Sequence, residues 1–162
     1  MERNEKRILI VLAILIAAAL VAVVLVRGGE TDVVVNEFVA PSFDETAVVG
    51  VPEGMDPTKY GTLALNETIQ VSLYSTPLVE GTSAKVYFTS SESNTVWVKL
   101  RLQDAKGEVL GETGLIRPGE YVESITLVKE PREAEAVARI LTYEPETYYS
   151  LGSASAQILL EL

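Results

Sequence analysis

Apolar residues recur at every second position through much of the chain after residue 61, which is the period of a β-strand with one buried face. The clearest run covers residues 94–103, where Val96, Val98, Leu100 and Leu102 alternate with side chains of another kind. Further runs of β-forming composition lie at residues 69–73, 85–89, 108–112, 121–128, 137–143 and 156–162. Seven or eight short strands at such spacing predict an all-β antiparallel sandwich.

Three turn sequences separate these strands. Residues 104–107 (DAKG) predict a tight turn that returns residues 108–112 as a hairpin partner of the clearest strand. Residues 117–120 (RPGE) predict a second turn, because Pro presets φ and Gly accepts a positive φ. Residues 144–147 (EPET) predict a third turn.

The longest apolar stretch, residues 8–26, has no charge, polar side chain, Pro or Gly. As a helix of roughly 19 residues it would span about 28 Å, close to the hydrocarbon thickness of a bilayer. A buried core helix would need a larger domain to cover it on every side. A cleaved signal peptide would have a polar cleavage region after the apolar run, whereas residues 20–26 (LVAVVLV) are entirely apolar. The stretch therefore predicts an uncleaved transmembrane helix.

The flanking charges predict how this helix is oriented. Arg3, Lys6 and Arg7 precede it, and Arg27 alone follows it closely. The positive-inside rule then places the N-terminus in the cytoplasm and the C-terminal domain outside the cell membrane, in a single-pass topology.

We therefore divide the chain into four segments. Residues 1–7 are the cytoplasmic N-terminus, residues 8–26 the transmembrane helix, residues 27–60 a stalk or linker, and residues 61–162 the extracellular sandwich. Pro and Gly residues punctuate the linker. Its two apolar runs, residues 33–35 and 47–49, are either short β segments or apolar patches in an extended tether.

Composition excludes several classes of function. The 13 Lys and Arg against 23 Asp and Glu give a net charge of −10, which argues against a nucleic-acid partner. Without Cys there is no disulfide framework or thiolate metal site, and without His there is no Ser-His-Asp triad or imidazole ligand.

About 80 residues carry a resemblance to a known group of proteins. The sequences involved are VWVKLRLQD, GEVLGETGLI, RPGEYVESITL and YEPETYYSLGSASAQILLEL. Together they resemble the extracellular domain of small single-pass membrane-anchored surface proteins of Gram-positive Firmicutes. The resemblance implies an immunoglobulin-like sandwich behind an N-terminal anchor. It implies no activity, and no catalytic residue is transferred from it.

The residues that could form a glycosidase site, a calcium site or a Ser–Lys nucleophile all have an ordinary structural explanation. Glycoside hydrolysis needs two carboxylates facing each other across a cleft, and nothing singles out a pair among Glu108, Glu112, Glu120 and Glu123. The chain has no calcium-binding loop motif, although Asp44 with Glu45, or Glu144 with Glu146, would suit a weak site. The serines of residues 90–93 fit loop chemistry better than a Ser–Lys nucleophile. We assign no catalytic residue, no metal ligand and no cofactor.

The candidate partner-binding residues are Trp97, Lys99 and Arg101. They share one face of their strand, because the apolar residues between them occupy the other face. An exposed Trp beside two cations would suit an acidic or carbohydrate partner. The alternative is that Trp97 packs against the stems of its neighbours or fills a second buried face.

The function that these features indicate is a non-catalytic cell-surface module that binds a protein or the cell wall. One alternative is an accessory subunit of a membrane complex, held through a helix whose alanines permit close helix packing. A second alternative is a carboxylate-based glycan hydrolase. The sequence leaves the oligomeric state open.

The charge asymmetry around the apolar stretch generates a prediction about topology. Protease added to intact protoplasts should digest residues 27–162 and spare the N-terminus, because only the C-terminal domain is predicted to lie outside. Immunoblotting with tags at both ends would measure this. Full protection of the C-terminal tag in sealed cells, with digestion after lysis, would contradict the orientation.

Overall fold

The computed structural model describes residues 38–162, which form ten β-strands in two antiparallel sheets. The strands are β1 (Val48–Val49), β2 (Tyr60–Ala64), β3 (Gln70–Tyr74), β4 (Leu78–Glu80), β5 (Ser83–Ser90), β6 (Trp97–Asp104), β7 (Val109–Glu112), β8 (Glu120–Thr126), β9 (Glu135–Tyr143) and β10 (Ser150–Leu159). The predicted all-β class with two antiparallel sheets is confirmed.

The predictions for residues 1–37 lie outside the described residues. They comprise the cytoplasmic N-terminus, the transmembrane helix over residues 8–26 and the first part of the linker. Within residues 38–162, no helix has the length and apolar character needed to cross a membrane.

The two sheets differ in the number of their strands and in the strands that lie at their edges. The six-stranded sheet has the order β1-β8-β5-β3-β2, with β4 added beside β5. The four-stranded sheet has the order β10-β9-β6-β7. The hairpin of β6 and β7 forms as the sequence predicted, around a turn in which Gly107 has a φ of +85°.

The core lies between the sheets and follows the period-two pattern of the sequence. The inward side chains of β6, which are Val98, Leu100 and Leu102, are completely buried. Phe88 from β5 and Ile140 from β9 pack in the same core cluster. Since successive side chains of a strand point to opposite faces, burial of this set fixes which residues of β6 face outward.

The compact unit begins at Val39, so the described part of the predicted linker, residues 39–60, belongs to the same unit as the sandwich. β1 pairs with β8, and β2 pairs with β3 in the six-stranded sheet. The Pro and Gly residues that suggested a tether lie in a largely exposed loop that is nevertheless held to the sheet, since Pro52 is buried and the Asp56 N–H donates to the Tyr74 hydroxyl at 2.5 Å.

A parallel bridge between Phe43 and Leu115 holds the start of this unit against the strand connection after β7. The Asp44 N–H donates to the Leu115 carbonyl at 2.9 Å, and the Leu115 N–H donates to the Ser42 carbonyl at 2.8 Å. The Asp44 carboxylate also accepts the Gly114 N–H at 2.8 Å. Three hydrogen bonds therefore dock residues 42–44, although no regular strand forms there.

Gly114 permits this close approach because it has no side chain. A Cβ at this position would lie 2.4 Å from the Asp44 nitrogen and 2.7 Å from the Phe43 carbonyl carbon. Both atoms belong to the backbone, so neither can move aside without shifting the docked segment.

We predict that Gly114→Ala displaces residues 42–44, lowers the free energy of unfolding by about 1–3 kcal/mol, and shifts the emission of the single Trp, Trp97, to longer wavelength. The emission should shift because Phe43 packs edge-on against Trp97 at 4.7 Å between ring centroids. Thermal melts and fluorescence spectra of the full chain in detergent would measure both effects.

Gly61→Ala is the matched control, since nothing lies within 4 Å of a Cβ placed there and Gly61 has no positive φ. It should leave melting and emission nearly unchanged. Wild-type melting and emission in Gly114→Ala would show that the docked segment tolerates the added methyl group, contrary to our account.

Candidate partner-binding face

The structure places the three predicted residues Trp97, Lys99 and Arg101 together on the solvent side of the four-stranded sheet. The register of β6 with β9 sets Trp97 opposite Tyr143 and Arg101 opposite Arg139. We call the solvent side of this sheet the outer face. Its side chains include Trp97, Lys99, Arg101, Glu112, Arg139, Leu141 and Tyr143, with Gln103, Val137 and Glu135 toward the end opposite Trp97.

Trp97 is half-buried, whereas the binding hypothesis expected an exposed indole. Its ring packs edge-on against Phe43 at 4.7 Å and against Tyr148 at 4.9 Å between centroids. The Arg117 guanidinium lies 3.6 Å from the centroid of the Phe43 ring, a cation–π contact on the same side of the sandwich. We call Phe43, Trp97 and Tyr148 the aromatic cluster.

The sequence analysis did not predict that Phe43 packs on Trp97, because Phe43 lies in the segment that was interpreted as a linker. The hydrogen bonds of Asp44 with residues 114 and 115 bring Phe43 to Trp97, and no local pattern around Phe43 signals those partners. The one available indication that this segment packs on the sandwich was the presence of an aromatic residue, Phe43, within a stretch rich in Pro and Gly.

Tyr148 joins the aromatic cluster from a strained position in the β9–β10 hairpin. Its φ is +60°, in the left-handed region that costs a non-glycine residue roughly 1 kcal/mol. The loop supports this conformation, since the Tyr148 N–H donates to the Glu144 carbonyl at 3.0 Å and the Thr147 hydroxyl donates to the Glu144 carboxylate at 2.6 Å. The neighbouring Tyr149 is 67% exposed.

Lys99 and Arg101 share one carboxylate, that of Glu112 on β7. The Lys99 ammonium donates to it at 2.6 Å and the Arg101 Nε donates to it at 2.8 Å. Burial by itself raises the pKa of Glu112, but the hydrogen bonds from Lys99 and Arg101 outweigh it and hold the pKa below the ordinary value. Two cations on one carboxylate leave this strip with a positive balance.

A β-bulge turns Glu112 toward these cations. The register runs Gln103↔Val109 on one side of the bulge and Leu102↔Gly111 on the other, which leaves Leu110 unpaired and buried. Without that shift, Glu112 would stand opposite Leu100 on the core side of the sheet. The sequence predicted the hairpin but gave no sign of the bulge, so this ion pair was not foreseen.

Arg139 adds a further cation to the outer face. Its Nε donates to the Ser153 hydroxyl on β10 at 3.1 Å. Within residues 38–162 no carboxylate forms a salt bridge with it. The centre of the outer face thus presents three cations, two of which share the Glu112 carboxylate, in a chain whose net charge is −10.

Two of the other candidate carboxylates lie in ordinary surface pairs. Glu108 accepts from Lys129 at 2.7 Å, and Glu120 lies 3.4 Å from Arg117. Asp44 is engaged by backbone groups. In the described part of the chain, no three Asp or Glu side chains group together as a metal site.

An open groove lies between the β6–β7 turn and the loop before β9. Asp104, Lys106, Glu108, Lys129 and Arg132 are among the residues that line it. Its walls mix both signs of charge, and the exposed ion pair of Glu108 with Lys129 occupies part of its rim.

The Glu112 ion pairs generate a prediction about pH. Because the pKa of Glu112 is lower in the folded state than in the unfolded chain, its contribution is complete above the unfolded value, near 4.5, and is lost as the pH falls through the folded value. We predict that Glu112→Gln costs about 0.5–1 kcal/mol of unfolding free energy at neutral pH, and progressively less as the pH falls below about 4.5. Denaturant melts from pH 7 to pH 3 would measure it.

Glu67→Gln is the control, because Glu67 is exposed and forms no salt bridge with any residue of the range 38–162. It should match the wild type at each pH. A stability difference between Glu112→Gln and the wild type that stays constant across this range would show that Glu112 does not titrate with folding.

Comparison with protein-family models, with curated proteins and with solved structures found no match to this chain. The outer face itself therefore indicates the function, through the neighbouring aromatic cluster, its three cations and the carboxylate that Lys99 and Arg101 share. The resemblance to anchored Firmicutes surface proteins stays an expectation from sequence motifs.

Proposed function

We propose that this chain is a membrane-anchored, non-catalytic cell-surface module whose immunoglobulin-like sandwich binds an acidic cell-wall glycan or an acidic protein surface through the outer face. The anchor and the extracellular location rest on the apolar stretch and its flanking cations. The immunoglobulin-like assignment is supported by strand order: β6, β9 and β10 are neighbours in one sheet and β5 and β8 in the other, like strands C, F, G and B, E of that fold.

The observation that carries this proposal is the meeting of aromatic and cationic side chains on one face of an acidic protein. From Trp97 to Arg101 the strip extends about 13 Å along β6. Tyr143 and the exposed Tyr149 lie toward the Trp97 end, and Arg139 lies beside Arg101. An extended acidic ligand would find apolar ring surface at one end of the strip and cations at the other.

Electrostatics favours this face over the rest of the domain. In a chain of net charge −10, an anionic partner is repelled by most of the surface and is steered toward a local excess of cations. Of the two partner classes, we favour an anionic glycan, because it combines carboxylates or phosphates for the cations with sugar faces for the aromatic rings.

The state of Glu112 supports a non-catalytic role for this face. A glycosidase needs a carboxyl group that stays protonated near working pH, and therefore a raised pKa. The cations around Glu112 hold its pKa below the ordinary value, so it is a poor proton donor. Its position instead suits the alignment of Lys99 and Arg101.

Binding would be tested with the full chain in nanodiscs of neutral lipid, using polygalacturonate as the anionic probe and dextran as the neutral one. We predict that the wild type binds polygalacturonate, and that Lys99→Ala with Arg101→Ala weakens binding roughly tenfold through loss of about 1.4 kcal/mol. Glu112→Gln should tighten binding, because it releases both cations from their carboxylate.

The matched control is Lys85→Ala with Lys106→Ala, which removes the same charge away from the outer face. It should bind like the wild type. Trp97→Ala is less informative, since loss of its packing in the aromatic cluster should itself destabilise the domain. If both double variants weakened binding equally, the attraction would be a general effect of charge. If the wild type did not bind polygalacturonate, this would argue against an anionic glycan as the partner.

A further inference from the structure

One long edge of the four-stranded sheet carries no charge. β10 is the edge strand, and its sequence, SLGSASAQIL, has no Lys, Arg, Asp, Glu or Pro. Natural proteins commonly protect such an edge with a charge, a Pro or a covering segment, because an open strand pairs readily with another strand. The opposite edge, β7, is partly covered: Gly111 bridges to Leu127, and the Val128 N–H donates to the Leu110 carbonyl at 2.7 Å.

The hydrogen bonds at the end of β10 show which backbone groups point away from its neighbour β9. The Leu160 N–H donates to the Ala134 carbonyl on the β9 side, whereas the Leu159 N–H donates to the Ser75 carbonyl on the other side. Since these directions alternate along an antiparallel strand, Ser153, Ser155 and Gln157 point their N–H and C=O groups outward. Among residues 38–162, none of those outward groups has a backbone partner.

The side chains on this edge are symmetric about Ser155. Ser153 and Gln157 stand two residues on either side of it, and Ala154 and Ala156 stand one residue on either side. Leu151 and Leu159, each four residues from Ser155, are 54% and 56% exposed. Small side chains at the centre leave the backbone accessible, and the exposed leucines mark the two ends.

We propose that β10 pairs antiparallel with β10 of a second copy of this chain, about a two-fold axis at Ser155. Ser155 then faces Ser155 of the other copy, and Ser153 faces Gln157. Each of these opposed pairs has outward N–H and C=O groups on both strands, so each exchanges two hydrogen bonds. The pairing covers residues 153–157 and ends there, because the Leu159 N–H already donates to the Ser75 carbonyl and a register shift between Ser150 and Gly152 interrupts the strand at Leu151.

A second copy fits this edge better than a charged peptide does. Two chains of net charge −10 repel each other over most of their surfaces, and β10 is a strand where they meet without a charge on either side. A basic peptide would find no carboxylate on β10 to bind. The matching order of residues 153–157 about Ser155 also arises only when both strands have this sequence. The proposal of a dimer does not rest on ligand binding at the outer face.

The experiment measures the mass of the full chain in detergent by light scattering over a concentration series. Twice the chain mass of 17.6 kDa is expected for the wild type. Ser155→Pro removes an outward N–H and leaves the bonds to β9 in place, so it should weaken the dimer about tenfold or more while the Trp97 emission stays unchanged.

Charge variants at the same position keep the test decisive if the proline variant misfolds. Ser155→Lys and Ser155→Glu should each weaken self-association, because like charges meet at the axis, and an equimolar mixture of the two should restore a dimer. Ala105→Lys and Ala105→Glu, in the exposed β6–β7 turn, are controls that should dimerise like the wild type.

Two results would overturn the proposal. One is a wild-type chain that stays monomeric at the highest concentration reached. The other is a dimer that persists unchanged in the Ser155→Lys and Ser155→Glu variants, which would place the contact elsewhere, such as in the N-terminal apolar stretch.

Discussion

Burial of alternate side chains of β6 is the constraint on which the rest of the described structure depends. β6 pairs with β7 on one side and β9 on the other, and its inward residues Val98, Leu100 and Leu102 are completely buried between the sheets. A slip of one residue would bring Trp97, Lys99 and Arg101 into the core, where two unpaired cations would cost far more than the packing could return. The position of the candidate face therefore follows directly from the packing of the core.

The sequence predicted this constraint because it is local. The alternation along residues 94–103 and the turn at 104–107 were enough to predict the strand, which of its faces is buried, and the hairpin that it forms. The predicted linker was less accurate, since β1 lies within its described part and β2 begins at its last residue, Tyr60. The Pro and Gly residues there lie in an irregular loop that is held to the sheet by Pro52 and Asp56, and period-two reasoning cannot distinguish a docked irregular segment from an extended one.

Features that depend on distant partners were not foreseen. The cover of Phe43 over Trp97 needs the hydrogen bonds at Gly114 and Leu115, and the charge pairing at Glu112 needs a bulge at Leu110. Both features alter the chemistry of the predicted site. The packing of Phe43 makes Trp97 a packing residue as well as a surface residue. The carboxylate of Glu112 offsets the charge of one of the two predicted cations. Arg139 adds a further positive charge from β9, a strand in which the sequence analysis predicted no binding residue.

The two surfaces for which we propose partners belong to one sheet, and their chemistry separates their roles. The centre of the outer face presents cations and aromatic rings, which suit a ligand unlike the protein itself. The β10 edge presents uncharged small residues and free backbone groups, which suit a strand of the same kind. Pairing at β10 would join two outer faces into one eight-stranded sheet with the aromatic clusters toward opposite ends, because the paired strands are antiparallel. A long anionic polymer could then contact both faces at once, and the second contact would form at the high effective concentration that the first contact sets.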